Sequence, residues 1–291
     1  MSAWQLWQQQ AQAKRNQMQW ALRNFVRWTP GEYREKPSRQ AFINHLPHPK
    51  AELAKILLAR YGLSDLPERA ADQRVLETLT YLDWLDGLAL TASDWLDALL
   101  RKESEANHSV VQGEQTLSWL DVGAKNWSYV EALSGFIQNR HGANSQLHGI
   151  ELDPMRRYTN LHTREQAAQA FIKRIPQASY HVGDALHWQQ PVHVISLFLP
   201  FVFVEPHLAW GLPLPYFQPQ ALLEHLVGLL EPGGLLIIVN QGEVEAEAQD
   251  QLLQNLVVQG SLEIQNLGQL PTRFIDYQFP RFGWLCRKID A

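Results

Sequence analysis

The feature that most constrains the fold is a regular alternation of short apolar runs and amphipathic segments over residues 115–291. The apolar runs predict strands over residues 115–122, 145–152, 178–184, 191–199, 234–240, 261–267 and 282–289. The segments between them predict helices over residues 127–140, 163–175, 217–231 and 244–259. Strands that alternate with helices form a parallel sheet covered on both faces, with right-handed crossovers. The last two strands lack an intervening helix, which predicts an antiparallel hairpin at one edge of a seven-stranded, doubly wound α/β sheet.

Residues 1–105 carry a helical period and almost no strand signal. A first helix is predicted up to Thr29-Pro30-Gly31, and its apolar stripe consists of Trp4, Trp7, Ala11, Met18, Leu22 and Phe25. Further helices are predicted over residues 50–61, over residues 66–85 with an end at Gly87, and from a capping box at Thr91 and Asp94 to residue 101. Residues 102–114 are polar and predict a linker. The chain is therefore expected to divide into an N-terminal helical cap or docking domain, 1–105, and a Rossmann-like domain, 115–291.

Composition excludes several classes of protein. The net charge of -5 argues against a mainly electrostatic hold on nucleic acid. Cys286 is the only cysteine, so no intramolecular disulfide can form, and a reducing cytoplasm is the expected compartment. The N-terminus lacks the continuous apolar core of a secretory signal, and no segment has the length needed to span a membrane.

Carboxylates follow three of the predicted strands, where an open α/β sheet binds its ligand. Asp121 ends the first strand, Glu151 and Asp153 end the second, and Asp184 follows the third. A pyrophosphate requires glycine-lined backbone amides and tolerates few acids nearby. The pattern instead predicts a nucleoside-like ligand that offers hydroxyl and amine donors and carries a cation.

Four motifs occur in order along these strands: LDVG at 120–123, GIELDP at 149–154, VGDAL at 182–186 and LEPGGLLIIV at 230–239. Together they resemble the class I S-adenosylmethionine-dependent methyltransferases, over residues 115–291. The closing segment GWLCRKI at 283–289 is similar to that family's reversed seventh strand. The resemblance implies S-adenosylmethionine as the cofactor.

The same resemblance implies roles for individual residues. Asp121 and Gly123 would face the methionine moiety of the cofactor. Glu151 would bind the ribose hydroxyls, with Asp153 as the alternative carboxylate. Asp184 and the backbone of Ala185 would contact the adenine edge. The alternative interpretation of these acids is that they cap helix N-termini, where a carboxylate is worth ~0.3–1 kcal/mol.

The first motif departs from the family pattern, which has glycine at alternate positions after the aspartate. Lys125 and Trp127 stand at the second and third glycine positions. Their side chains either close the turn to a ligand or re-route it. Lys125 suits the carboxylate of the cofactor, whereas Trp127 is equally consistent with a buried plug. His193 stands where the family commonly has an acid.

The acceptor is expected to bind at residues 199–217, which follow the fourth strand and are rich in aromatic residues and proline. Such a segment suits a small, apolar or aromatic acceptor. His207, flanked by Glu205, is the candidate general base, because imidazole titrates near neutrality. The alternative is a surface histidine in a proline-rich loop. His181, His187 and His193 fall on different elements, so no metal site is predicted.

The leading hypothesis is therefore a small-molecule methyltransferase that uses S-adenosylmethionine. A catalytically inactive methyltransferase-like binding or scaffold protein is the alternative. A nicotinamide-dependent oxidoreductase is third, because the first strand lacks a G-x-G-x-x-G loop. The N-terminal helices would either cover the site and supply Trp or Tyr side chains to it, or form a docking or homodimer surface.

Overall fold

A computed structural model describes residues 3–26, 30–38, 42–91, 116–141 and 145–289. Its strands are Leu117–Val122 (β1), Ser145–Glu151 (β2), Ala178–Val182 (β3), Val192–Phe198 (β4), Leu230–Gln241 (β5), Leu262–Gln269 (β6) and Arg281–Lys288 (β7). Its helices are Ala3–Phe25 (α1), His48–Arg60 (α2), Leu66–Arg69 (α3), Asp72–Thr91 (α4), Val130–His141 (α5), Arg164–Ile172 (α6), Val204–Ala209 (α7), Pro219–Leu229 (α8) and Gly242–Val258 (α9).

The described strands form one seven-stranded sheet in the order β3-β2-β1-β4-β5-β7-β6. β1 to β5 pair in parallel, and β7 is antiparallel to both β5 and β6. The chain order reverses at β1, because β2 lies on one side of it and β4 on the other. The predicted doubly wound α/β fold and the closing antiparallel hairpin are confirmed. The reversal places a crevice above the carboxyl ends of β1 and β4, where such sheets bind ligands.

The third predicted helix was wrong in its bounds. The chain breaks it at Ala70, whose extended backbone separates α3 from α4. α4 then continues through Gly87, the predicted end, to Thr91. A Cβ atom at residue 87 would lie 2.9 Å from the side chain of Pro271, so close packing accounts for this glycine. The predicted fourth helix and linker lie outside the described residues, except for Thr91, the last residue of α4.

The helices of residues 42–91 share a core with one face of the sheet. Leu57 of α2 and Leu82 of α4 belong to the same buried cluster as Trp119 of β1. The opposite face of the sheet is covered by α8 and α9, through residues such as Leu226 and Leu253. This arrangement buries both faces of the sheet, as parallel strands require.

Polar contacts also join α4 to α5. The guanidinium of Arg74 pairs with the carboxylate of Glu131 at 2.5 Å, and both side chains are buried. The rings of Tyr81 and Tyr129 stack with their centroids 3.5 Å apart. These contacts hold α4 against the start of α5, directly behind the loop that follows β1.

α1 lies on the segment that follows β4. The buried amide of Asn16 donates to the carbonyl oxygens of Leu208 and Leu212 at 2.8 and 3.0 Å. The ring of Trp20 contacts that of Tyr216, with centroids 5.2 Å apart. No helix among the described residues is long and apolar enough to cross a membrane.

Candidate functional site

A cavity of about 260 Å³ opens above the carboxyl ends of β1 to β4. Six of the predicted site residues line it: Gly123, Lys125, Glu151, Asp184, Ala185 and His207. Asp121 and Asp153 do not. None of the described residues 3–91 lines the cavity. The expected contribution of Trp or Tyr side chains from the N-terminal helices is therefore not found there, and α1 contacts the cavity wall only from outside.

The loop after β1 keeps the backbone of a glycine turn without its glycines. Gly123, Lys125 and Trp127 have φ values of +76°, +55° and +50°. The left-handed region costs a non-glycine residue roughly 1–2 kcal/mol, so the surrounding contacts must hold the loop in place. The amides of Gly123 and Lys125 supply such contacts, donating to the carbonyl of Ile150 at 2.9 Å and to Glu151 at 2.7 Å.

The indole ring of Trp127 lies in the core and not in the cavity. Trp127 is fully buried, and its ring packs against Gly149 of β2. A Cβ atom at residue 149 would lie 2.8 Å from Cδ2 of this ring, so the glycine makes room for it. Trp127 is thus a buried plug beneath the loop, and it leaves the crevice open.

The side chain of Lys125 points the other way and lines the cavity. Its Nζ lies 5.1 Å from the centroid of the Trp210 ring, a cation–π contact. It forms no ion pair with any residue that the structure describes. Burial and the neighbouring charge of Arg164 lower the pKa of Lys125. An anionic group on a ligand would act in the opposite direction and raise this pKa.

Glu151 is held firmly by its neighbours at the end of β2. One carboxylate oxygen accepts from the amide of Asp153 and from Arg164 Nη1, both at 2.8 Å. The other oxygen accepts from the amide of Lys125. A carboxylate has about four acceptor positions, so roughly one remains for a ligand hydroxyl.

Asp184 caps a short turn and also lines the cavity. Its Oδ1 caps the short 3₁₀ turn Ala185–His187 by accepting from the amide of Leu186 at 3.0 Å. Its side chain also lines the cavity, beside Ala185 and Gly183. Oδ2 accepts no hydrogen bond from the described part of the chain, so it remains able to accept one from a ligand.

Asp121 lies behind the cavity wall and ties the loop to β4. Its two oxygens accept from Ser196 Oγ at 2.5 Å and Tyr129 OH at 2.7 Å. Complete burial raises the pKa of Asp121 to about 7, although these hydrogen bonds act in the opposite direction. The predicted contact of this carboxylate with a ligand has no support from the geometry, because Asp121 does not line the cavity and both of its oxygens bond to protein hydroxyls.

Asp153 is likewise fully buried outside the cavity. Its Oδ2 pairs with Arg156 at 2.8 Å and with Arg23 of α1 at 3.2 Å. As the alternative ribose carboxylate it is turned away from the ligand space. Its charge instead links α1 to the segment between β2 and α6.

His207 lies on α7 and is buried, so the interpretation as a surface histidine is wrong. Its ring lies between those of Phe201 and Phe217, with centroids 5.6 and 5.4 Å away. Nε2 bonds to the carbonyl oxygen of Pro213 at 2.9 Å. Because a carbonyl only accepts, Nε2 carries hydrogen and the basic lone pair lies on Nδ1. Burial lowers the pKa of His207, which keeps the ring neutral at pH 7.

Sequence reasoning missed a group of cations around one indole ring. Arg156 and Arg164 lie 5.9 and 5.7 Å from the centroid of Trp210, which also contacts Lys125. All four side chains line the cavity. The usable signal was the basic run Arg156-Arg157 followed by Arg164, just after the carboxylates of the second strand.

Aromatic and aliphatic side chains dominate the other half of the cavity. They include Phe201, Val202, Leu212, Phe217 and Leu222. The segment 199–217, predicted as a loop, contains α7 and a 3₁₀ turn at Leu214–Tyr216. The cavity therefore has a charged end at β1 and β2 and an apolar end beneath this segment.

Metal-binding chemistry finds no support among the described residues, which contain no group of three or more His, Cys, Asp or Glu able to hold an ion. His181 bonds to Ser179 Oγ at 2.9 Å. His193 lies near the start of β4 and bonds to Ser118, at the edge of the sheet away from the cavity.

Comparisons with known proteins give only distant likenesses. No family model and no curated protein matches the chain. A solved structure described as a class I S-adenosylmethionine-dependent methyltransferase from Listeria monocytogenes is 14% identical, covering 85% of this chain and 83% of that one, with TM-score 0.45. The N-methyltransferase NodS from Bradyrhizobium japonicum, solved with S-adenosylhomocysteine, is 12% identical over 65% and 87% of the two chains, with TM-score 0.38. A protein described as an rRNA methylase from Clostridium thermocellum is 14% identical over 66% and 95%, with TM-score 0.39. At such identities a function has to be argued from the site.

Proposed function

We propose that this protein is an S-adenosylmethionine-dependent methyltransferase. The observation that carries the proposal is the loop after β1, which keeps three left-handed positions at Gly123, Lys125 and Trp127. The chain maintains this strained turn next to an open cavity, although two of the positions lack glycine. Strain of this kind persists where the surrounding structure imposes it, and it concentrates at ligand-binding sites.

The residues around the cavity fit the cofactor. Lys125, which lacks an anionic partner in the described chain, suits the carboxylate of the methionine moiety. The remaining acceptor position of Glu151 suits a ribose hydroxyl. Asp184, with Oδ2 open to the cavity, suits the adenine amine. When bound, the cofactor supplies a methyl group on a positively charged sulfur, and these side chains serve to hold and orient it.

The apolar end of the cavity supports a small, apolar or aromatic acceptor. Phe201, Leu212 and Phe217 exclude water, and the two phenylalanine rings present flat surfaces to a planar group. His207 lines this end, and its Nδ1 lone pair is the candidate general base. A base is needed only where the acceptor keeps its proton at neutral pH.

A catalytically inactive binding protein is the second candidate. Arg164 occupies one oxygen of Glu151 through a buried ion pair, which competes with a ribose for that carboxylate. Trp210 covers Lys125 and Arg164, and it has to move or share its face with a ligand. Both features would leave cofactor binding weak and methyl transfer absent.

Calorimetric titration with S-adenosylhomocysteine tests the proposal. We expect saturable binding, and we expect Asp184→Ala to weaken it by roughly 1–3 kcal/mol through the loss of a buried hydrogen bond. Asp276→Ala is the matched control, because Asp276 is 97% exposed and lies outside the cavity wall. Absence of binding at millimolar ligand contradicts the proposal. Binding without transfer to any of a panel of small aromatic acceptors favours the inactive candidate.

A further inference from the structure

α1 is an amphipathic helix that is docked by its polar face. Asn16 is 1% exposed and donates to the carbonyl groups of Leu208, in α7, and of Leu212, just after it. Arg23 pairs with Asp153 and also donates to the carbonyl of Gly211 at 3.2 Å. An amphipathic helix normally buries its apolar stripe instead. Here the apolar stripe lies on the opposite side of the helix.

We call this stripe the outer stripe of α1, and its large side chains are all exposed. Trp4, Trp7, Met18, Leu22 and Phe25 have between 58% and 85% of their surface accessible. Ala11 completes the row. Consecutive members are separated by three, four or seven positions, the spacing of an apolar seam between paired helices. Trp4 and Trp7 stack on each other at 5.0 Å, so the surface they present is already ordered.

We propose that the outer stripe is the interface between two copies of this chain, with the two α1 helices antiparallel. The three aromatic side chains alone measure about 150–250 Å² each, so the stripe exposes on the order of 600 Å² of apolar surface. A standard interface buries roughly 800 Å² per partner. The stripe and its polar rim together reach that size.

The spacing of the stripe fits an antiparallel pair. Trp4 and Phe25 are equally far from the midpoint between residues 14 and 15. The same holds for Trp7 and Leu22 and for Ala11 and Met18. A twofold axis at that midpoint therefore places each large side chain opposite another member of the stripe, and the small Ala11 opposite the long Met18. A parallel pair would instead set like against like, with Trp4 and Trp7 crowded against their own copies.

The rim of the stripe distinguishes a protein partner from a lipid surface. Exposed glutamines flank it on both sides: Gln8 and Gln19 on one, Gln10 and Gln17 on the other. Lys14 and Arg15 are the two cations on its flanks, and a rim in which neutral hydrogen-bonding side chains predominate is typical of protein interfaces. A helix that binds an anionic membrane is instead rich in Lys and Arg over its whole polar face. The net charge of -5 also opposes approach to an anionic surface.

Lys14 and Arg15 lie midway along the length of the stripe, one on each side of it. The antiparallel pair therefore brings Lys14 close to Arg15 of the second copy. α1 contains no acidic residue to offset these charges. The long stems of both side chains can extend past the seam to water. The pair therefore tolerates the like charges at some cost, and salt that screens them strengthens association.

Dimer formation is linked to the cavity because α1 carries the outer stripe on one side and contacts the cavity wall with the other. Its inner face holds Leu208 and Leu212, and Leu212 lines the apolar end of the cavity. A second copy that immobilises α1 therefore also steadies the segment that covers the acceptor. The proposal itself does not depend on the identity of the ligand.

Sedimentation equilibrium of the full chain, over about 1–100 µM, tests the interface. We expect a dimer that the double variant Trp7→Gln, Leu22→Gln converts to monomer. Leu6→Gln is the matched control, because Leu6 is exposed on the same helix but lies outside the stripe. Circular dichroism confirms that each variant is folded. A wild-type monomer at the highest concentration, or a dimer that survives the double variant, overturns the proposal.

Charge reversal tests the orientation. Lys14→Glu places a carboxylate opposite Arg15 of the second copy only in the antiparallel pair. We therefore expect the dissociation constant of the dimer to fall several-fold at low salt. In a parallel pair the new charge faces its own copy, and unchanged or weaker association overturns the antiparallel assignment. Co-sedimentation of a monomer with phosphatidylglycerol vesicles would assign the stripe to a lipid surface and also overturn the proposal.

Discussion

Asp121 shows how one buried side chain sets the properties of the loop after β1. Its carboxylate accepts from Ser196 on β4 and from Tyr129 at the start of α5. Those two hydrogen bonds connect the strand that precedes the loop to the elements on either side of it. Burial without a cation in direct contact raises the pKa of Asp121 to about 7, so the group is partly protonated at neutral pH.

The raised pKa of Asp121 makes a pH-dependent contribution to stability. That contribution is expected to lower the free energy of unfolding as pH rises from about 4 to about 7. Over that range the unfolded chain loses the proton while the folded chain keeps it, so unfolding becomes easier by roughly 3–5 kcal/mol. Asp121→Asn is neutral in both states and lacks this contribution. Urea unfolding across the range measures the difference between the two proteins. Asp276→Asn, at an exposed site, is the control and should follow the wild type. If the stability of Asp121→Asn changed with pH in parallel with that of the wild type, the prediction would be refuted.

Single residues also show where sequence reasoning was not sufficient. The substitutions at Lys125 and Trp127 raised the question of which way each side chain points. Sequence could not answer it, because both residues share one left-handed backbone conformation. Contacts decide the direction: Gly149 leaves space for an indole ring on the core side, whereas Trp210 receives the lysine on the cavity side.

At the scale of elements, α1 and α7 act as a unit. α7 has six residues, too few to be stable alone, and the backbone amides of Trp210, Gly211 and Leu212 donate to its last carbonyl groups. Asn16 supplies donors from the neighbouring helix. A side chain nine positions before the end of α1 thus adds hydrogen bonds to a segment that lies almost two hundred residues later.

Removing the side-chain amide of Asn16 is expected to make α7 and the residues after it, which line the cavity, more mobile. Asn16→Ala removes the Asn16 donor from the carbonyl of Leu212 and one of several donors from the carbonyl of Leu208, which still accepts from the amide of Gly211. The loss costs about 1–3 kcal/mol locally. Hydrogen exchange measured by mass spectrometry should show faster exchange over residues 204–216. Asn24→Ala is the control, because Asn24 bonds only to the carbonyl of Trp20 in its own helix. Unchanged exchange in Asn16→Ala would mean that α7 is held by other contacts.

Sequence predicted the strands well and the acceptor segment poorly, for a physical reason. β1 and β4 are short apolar runs bounded by turn residues. Strands buried on both faces of a parallel sheet have this pattern, so it is recognisable from the sequence alone. The segment 199–217 is rich in proline and aromatic residues and follows no helical period, so it was predicted as a loop. Its short helix also receives a donor from α1, and that long-range contact leaves no local signal.

The whole molecule is built around a core that both halves of the chain share. Leu82 of α4 is fully buried in the cluster that contains Trp119 of β1. The ion pair of Arg74 with Glu131 crosses the same boundary. The predicted division into a helical region and a Rossmann-like region reflects a change of pattern along the sequence. In the structure, α2 to α4 are part of the layer that covers one face of the sheet.

Disruption of that core is expected to destabilise the entire protein in one transition. Leu82→Ala removes a buried side chain and should lower the free energy of unfolding by about 2–5 kcal/mol. Far-ultraviolet dichroism and tryptophan fluorescence should shift together, because helices and sheet lose the same core. Ile56→Ala, at an exposed position of α2, should change stability by less than about 0.5 kcal/mol. Two separate transitions in Leu82→Ala would show that the halves unfold independently.

The sequence by itself determined the seven-stranded sheet, the edge of the sheet where the site lies, and the carboxylates that follow its strands. These features are written in local periodicity and in the rule that ligands bind at the carboxyl ends of parallel strands. Only the tertiary structure decided which acids face the cavity, where Trp127 and Lys125 point, and which side of α1 is buried. Those outcomes depend on contacts between residues far apart in the chain, such as Arg164 with Glu151 and Asn16 with Leu208, for which a single sequence carries no local signal.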